Sequence, residues 1–359
     1  MKHQTLDSQQ FDLSASHMLG DYVTAIAWSP HGDVLAISSA AGEVMLWQDY
    51  TNRAAALIPL QPSTGQSVDC LGFGNDQLLA AGGQDGLKIW HLEDHIDAQL
   101  VYATENTSVW IDQLAWNPTK PQLAFSLGRK VQIWDPTTQK IAATLDFAAS
   151  SVLGLNWSPD GQYLAIAGYH GVKIWESADW NDEPYIFDLP TASVAVAWSP
   201  DGQYFALGNL DRTIAVFEWN NPNPWVMRGF PGKIRQLKWS TVVDNATPML
   251  AAASIEGIAV WSKHADDAIG WESEVLQQHT GIIHAIAFQP KTLLLASAAE
   301  DGCVCLWKAK HVVQILEGAP QGFSCLAWHP QAQYLAAGGS NGELHLWAKS
   351  QRGQGFRSR

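Results

Sequence analysis

His279, Ser297 and Asp301 are the residue types of a nucleophile, its base and an orienting acid. Such a set works as a hydrolase triad only where the serine meets substrate. Other reactive types are scattered. "HLEDH", from His91 to His95, puts two histidines four apart, but it follows Trp90 in an extended context and lacks the His-Glu-x-x-His order that holds zinc on a helix. Cys303 and Cys305 alternate along one extended segment and so share a face. Small buried thiols of that kind fill gaps, whereas reactive ones need an open, electropositive setting. The chain contains no Walker-type phosphate loop, no strand–Gly-x-Gly-x-x-Gly–helix unit and no Gly-x-Ser-x-Gly elbow. No motif therefore argues for catalysis, and the expected assignment is a non-enzyme without cofactor or bound metal.

The elements that hold these residues repeat. "VLGLNWSPDGQYLAIAGYHGVKIW" begins at Val152 and "VAVAWSPDGQYFALGNLDRTIAVF" at Val194, with Trp157 and Trp198 41 residues apart. That interval is too long for a hairpin and suits a multi-strand unit. Eight copies can be counted. They open on Trp28, Phe73, Trp116, Trp157, Trp198, Trp239, Phe288 and Trp328, and close on Trp47, Trp90, Trp134, Trp175, Phe217, Trp261, Trp307 and Trp347. Within a copy the period is two, as in "VTAIAW" from Val23, and both faces are apolar, so the strands lie between layers. "SPDG" at Ser158 and Ser199 turns the first strand into the second. Asp85-Gly86 and Asp301-Gly302 turn the second into the third, and a weaker fourth strand follows, as in Lys140 to Phe147.

Four strands and a closing Trp in each unit of this length resemble the WD-repeat β-propeller family, over about residues 20 to 348. The Asp that usually follows the closing Trp stands only at Asp135. The resemblance implies an all-β fold: a single propeller of four-stranded blades, eight expected and seven the alternative. A blade cannot bury two apolar faces alone, so blades stack until the ring closes. The eighth copy stops after its third strand, and Phe11 to Leu13 is expected to supply its outer strand. Residues 1–21 form the closing segment, 22–348 the propeller, and 349–359 a basic tail carrying Lys349, Arg352, Arg357 and Arg359. "ESADWNDEPYIFDLPTAS", "EWNNPNPWVMRGFPGK" and "SKHADDAIGWESE" read as loops.

In this family a hydrogen-bonded chain often joins a His before the first strand, a Ser or Thr on the second, an Asp in the next turn and the closing Trp. Only the seventh copy has the full set, His279, Ser297, Asp301 and Trp307, and the resemblance makes it a structural tetrad. The position four before each opening aromatic falls near one end of the central channel: Thr24, Asp69, Asp112, Leu153, Val194, Arg235, His284 and Ser324. Asp69, Asp112 and His284 could begin a metal site, but Arg235 opposes a cation and half the ring offers no ligand.

Five tryptophans lie outside the repeat pattern: Trp110, Trp180, Trp219, Trp225 and Trp271. A Trp on a rigid loop is a strong anchor for a partner, and Trp110, just ahead of a first strand, is the best placed of the five. The resemblance implies a non-catalytic scaffold or adaptor that binds other proteins or peptides. Its expected face comprises Asp69, Trp110, Asp112, Arg235, His284 and Glu300. The alternative is a channel-centred metal-dependent hydrolase.

Composition agrees with a packed, acidic protein. Of the residues 47% are hydrophobic and 16% charged, and the formal charge is −14, which disfavours nucleic acid and anionic membranes. Four cysteines make no disulfide framework, the stretch "MKHQTLDSQQFDL" lacks the apolar run of a secretory signal, and no 18 uninterrupted apolar residues occur in the sequence. A cytoplasmic location without membrane insertion is expected.

Overall fold

In a computed structural model the chain is described at residues 10–48, 56–74, 77–93, 97–104, 109–242, 246–266 and 268–350. His95, and Arg352, Arg357 and Arg359 of the basic tail, lie outside these residues. The described residues form thirty strands and no helix, all paired antiparallel, in a single β-propeller of four-stranded blades. Opening strands pack on one another in chain order, and that of the eighth copy, Phe323–Trp328, packs against that of the first, Val23–Trp28.

The expectation of eight separate blades is corrected: the structure has seven hydrogen-bonded sheets, six of four strands and one of six. The six-stranded sheet joins the fourth and fifth copies through two 14-residue strands, Tyr163–Glu176 and Tyr185–Trp198. The first passes through the tight bend at His170 and Gly171, both at positive φ, without leaving the sheet. The second pairs near its start with Gly171 to Ile174 and near its end with Phe205 to Asn209. It thus serves as outer strand of one copy and opening strand of the next. "ESADWNDEPYIFDLPTAS" is therefore not a loop throughout. Pro190, which has no N–H to donate, falls between the paired positions Asp188 and Ala192, where the ladder asks nothing of it.

The core is distributed. Each of its eight layers is shared by two neighbouring copies; Trp134 and Phe125 of the third copy, for example, pack with Leu87 and Ile89 of the second. The opening tryptophans tie the layers together. Trp116 donates its indole N–H to the carbonyl of Gly72, Trp157 to Ala115, Trp239 to Ala197 and Trp328 to Ala287, at 2.9–3.0 Å in each case. Each acceptor stands just ahead of the preceding copy's opening aromatic. Trp28 reaches Ala327 of the eighth copy in the same way at 3.3 Å. The Tyr of "GQY", or of "AQY" in the eighth copy, adds a second tie: Tyr163, Tyr204 and Tyr334 stack on Trp198, Trp239 and Trp28 of the following copy at 6.1–6.5 Å. The echo between copies thus records the two contacts that each makes with its neighbour.

The strand Phe11–Met18 pairs with Glu343–Lys349, from Phe11↔Lys349 to Met18↔Glu343, and completes the four-stranded sheet of the eighth copy. It extends beyond Leu13, with a register shift between Leu13 and Ala15.

His329, 4% exposed, clasps the first copy from the eighth. Its Nε2–H donates to Gly32 O at 3.1 Å while Nδ1 accepts the Gln331 N–H at 3.1 Å. Gly32 has φ +82, and a Cβ there would lie 2.2 Å from His329 Nε2, so only glycine fits. Burial lowers the His329 pKa from 6.5, the Gly32 carbonyl only partly offsetting it. A lowered folded-state pKa means that the unfolded chain binds the proton more tightly. The contribution is therefore complete above about pH 6.5 and is lost as pH falls through the folded pKa. The melting temperature should fall on acidification below pH 6.5, and His329→Gln should flatten that dependence. An unchanged slope would remove His329 from the account.

Candidate functional site

The channel-rim position coincides with a backbone irregularity. In five copies the opening strand shifts register at the rim residue: Thr24, Asp69, Val194, His284 and Ser324 each sit where the ladder skips. A bulge of this kind re-aims a side chain. Asp112, Leu153 and Arg235 instead lie just before the first paired residues of their copies.

Among the described residues the candidates make two mutual pairs, Asp69 with Trp110 and His284 with Glu300, while Asp112 is held by a serine and Arg235 stands apart. Asp69 accepts the Ser67 hydroxyl at 2.6 Å on Oδ1 and the Trp110 indole N–H at 2.6 Å on Oδ2. Asp112 Oδ1 accepts the Ser126 hydroxyl at 2.8 Å. His284 Nε2–H donates to Glu300 Oε1 at 3.1 Å. Arg235 is exposed and takes part in no ion pair among the described residues. Asp69, Asp112 and His284 are thus each engaged separately. No three His, Cys, Asp or Glu side chains gather into a metal-holding group among the described residues.

Of the five tryptophans outside the pattern, four pack back on the propeller. Trp180 meets Trp157 edge-on at 5.8 Å, Trp219 lies 4.6 Å from Tyr163, and Trp225 and Trp271 enclose Tyr204 at 6.4 and 5.5 Å. Trp110 is 53% exposed, and the bond to Asp69 fixes its orientation.

His279, Ser297, Asp301 and Trp307 form a continuous chain. His279 Nδ1–H donates to Asp301 Oδ2 at 2.9 Å, the Ser297 hydroxyl donates to His279 Nε2 at 2.7 Å, and Trp307 Nε1–H donates to Ser297 Oγ at 2.8 Å. This tautomer follows because the carboxylate only accepts. The polarity is that of a hydrolase triad, but Ser297 is 0% exposed and an indole occupies its oxygen. Substrate has no approach to it, so the chain fastens strands.

The thiols are equally closed. Burial, with Asp301 and Cys303 nearby, pushes Cys305 up to about 12, and burial pushes Cys325 up to about 11. Burial with neighbouring carboxylates also raises Cys70 and Cys303. Because the thiolate is the reactive form, iodoacetamide at neutral pH should leave Cys305 and Cys325 unmodified in the folded protein and label both once urea unfolds it. Rapid labelling of native Cys305 would contradict this burial.

Several residues at the same end escaped the sequence reading. Tyr169 lies in the strand Tyr163–Glu176 just before its bend, Leu210 and Ile255 directly follow the second strand of the fifth and sixth copies, and the three are 49%, 47% and 42% exposed. The Leu210 N–H bonds to Ala192 O, two residues before the rim position Val194, just as Glu300 N bonds to Ile282 O before His284. Only the register brings these residues to the rim; in sequence they look like strand ends. Lys238 was also missed, although it stands just before an opening aromatic where six copies have Ala or Gly. The residue as a whole is exposed, yet desolvation of its ammonium lowers its pKa.

Residues 11–48, 270–308 and 310–348 match the family model "WD domain, G-beta repeat", and residues 85–216 match that of "Eukaryotic translation initiation factor eIF2A". WD repeats are thus detected in three stretches of a chain folded as a β-propeller. It is 28% identical over 89 residues to the ribosome biogenesis protein ERB1 of Malassezia globosa, across 21% of this chain and 10% of that protein. It is 33% identical over 93 residues to the protein transport protein SEC31 of Mycosarcoma maydis, across 24% of this chain and 6% of that protein. The chain thus spans a small part of these curated relatives. Among solved structures it resembles Sqt1 from Chaetomium thermophilum, with TM-score 0.79 and 17% identity over 95% of this chain and 100% of that one. It also resembles Chaetomium thermophilum Sqt1 bound to the N-terminus of the ribosomal protein L10, with TM-score 0.75 and 18% identity over 92% and 97% of the two chains. At these identities the likeness to Sqt1 is one of fold.

Proposed function

We propose that this propeller is a non-catalytic scaffold that captures other proteins or peptides on the rim carrying Asp69, Trp110, Asp112, Arg235, His284 and Glu300. Trp110 carries the reading: it alone of the five non-repeat tryptophans stays exposed, and Asp69 holds it in one orientation. A large side chain already fixed loses little entropy on binding. The Sqt1 structure with a ribosomal-protein N-terminus supports a peptide-like partner for this fold. In this reading residues 1–21 act as a fastener that keeps the ring closed, 22–348 form the platform, and the protein works in the cytoplasm without contacting nucleic acid or membrane. Among the described residues no helix is long and apolar enough to cross a membrane.

The test is capture of partners from the native cell by variant baits. Trp110→Ala should weaken capture by about 2 kcal/mol, roughly thirtyfold, and Asp112→Ala with Arg235→Ala should weaken it further, with the melting temperature nearly unchanged. Unaltered capture by both variants, or unfolding of either, would refute the assignment of this face.

A further inference from the structure

Beside this rim, over the sixth copy, lies a cleft of about 900 Å³, a size typical of ligand sites. A shortened strand creates it. The fifth copy's outer strand, Trp225–Met227, has three residues and pairs only with Ile214 to Val216, whereas Trp271–Gln277 and His311–Glu317 have seven each. The chain turns away at Gly229, φ +99, and leaves the neighbouring face uncovered. The floor is made of small residues in register, Gly257 opposite Gln277 and Ala259 opposite Val275. A Cβ on Gly257 would meet nothing within 4 Å. Phe230 and Trp261 wall it with rings 5.4 Å apart, and Val275 on the floor is 62% exposed.

At the lip stands Ile255, a β-branched residue at φ +53 in a two-residue turn where glycine is favoured. Such strain, combined with exposure of an aliphatic side chain, is a cost that folding alone does not repay. Connections on this side also gather positive charge. Arg212, Arg228, Lys233 and Arg235 are all exposed, and none takes part in an ion pair among the described residues. The connection that carries Arg228, Lys233 and Arg235 touches both turns: Ile234 N–H bonds to Asn209 O beside the fifth copy's turn, which bears Arg212, and Gly232 bonds through N–H and C=O to Ser254 Oγ at the sixth's. Glu256 is the single acid lining the cleft, and Asp211 is turned onto Thr213. In a chain of formal charge −14 this is a local inversion of sign.

We propose that the cleft over the sixth repeat receives an extended acidic peptide segment, seating an aliphatic side chain between Phe230 and Val275. The proposal rests on the platform reading above and names the chemistry of one partner. Positive charge selects carboxylates and steers their approach, and the exposed aliphatics favour a peptide over a phosphodiester backbone, which offers them no counterpart.

The probe is a fluorescein-labelled peptide of alternating Glu and Leu, titrated by anisotropy against the full chain, with its Lys and Leu counterpart and oligouridylate as comparators. The Glu/Leu peptide should bind, and more weakly as salt rises. Arg228→Glu with Lys233→Glu should reduce its affinity at least about tenfold. Gly257→Phe, filling the floor, and Val275→Glu, at an exposed site that does not bear on folding, should each abolish binding. Lys140→Ala, on the exposed outer strand of the third copy, should leave it intact. Equal or tighter binding of the Lys/Leu peptide or of oligouridylate overturns the proposal, as does binding that survives both Gly257→Phe and Val275→Glu. If the cleft variants are silent while Trp110→Ala still loses its captured partner, the cleft fails and the platform stands.

Discussion

Trp28→Ala is expected to lower the stability of the propeller by about 3–5 kcal/mol, the cost of deleting a buried aromatic. The effect should exceed that of an ordinary core truncation because Trp28 binds the first copy to the last. Its indole N–H reaches Ala327 O, its face stacks on Tyr334 at 6.1 Å, and its edges meet Trp47 and His329 at 5.9 and 4.8 Å. Trp28→Phe separates packing from hydrogen bonding. The second and seventh copies already place Phe73 and Phe288 at this position, so a phenyl ring is compatible with the strand. That variant leaves the Ala327 carbonyl without its indole donor and should cost about 1 kcal/mol. Urea denaturation followed by tryptophan fluorescence measures both. A cost under 1 kcal/mol for Trp28→Ala would mean that neighbouring copies do not depend on this contact.

Periodicity made the repeat legible because both of its signals are local: an aromatic at each end and a Pro-Gly or Asp-Gly turn between strands. The intervals His279–Ser297–Asp301–Trp307 were equally local, since each lies one strand or turn from the next. The junction of the fourth and fifth copies was not legible. Whether a strand ends or continues depends on whether its next partner lies in register, and Pro190 looked like a breaker until its position proved to be an unpaired one. The same limit applies to the rim. Four residues before the aromatic located the ring, but whether Asp69 would meet a metal or an indole depended on where the preceding connection delivered Trp110.

Net charge was similarly blind to distribution. A formal charge of −14 argues against general attraction of anions, yet Arg212, Arg228, Lys233 and Arg235 fall within one stretch whose intervening strands bring them to the same end of two copies. Their surroundings are acidic only on average. Within a Debye length of about 8 Å the nearest charges govern recognition, so opposite halves of one rim can favour partners of opposite sign.

Gln314→Leu should destabilise the protein by about 3 kcal/mol through three backbone groups of another strand. Gln314, 7% exposed on the seventh copy's outer strand, accepts the N–H groups of Gln10 and Phe11 on Oε1 at 2.9 Å each, and donates from Nε2 to Phe11 O at 2.6 Å. Its amide thus imitates a ladder partner at the point where the N-terminal strand begins. Leu matches its bulk but orphans all three groups, at about 1–3 kcal/mol for each that stays dry. Phe11→Ala attacks the same seat from the apolar side, since the ring is 2% exposed and meets Trp328 edge-on at 5.3 Å, and should cost about 3–5 kcal/mol. The two variants share a mechanism and touch, so their costs should not add. Hydrogen exchange over residues 11–18 gives the more specific readout. If Gln314 seats this strand, Gln314→Leu accelerates exchange there and along its partner Glu343–Lys349 before the remaining sheets respond. Uniform acceleration throughout the propeller would mean instead that the strand has no separate opening and that the amide contributes only to the global fold.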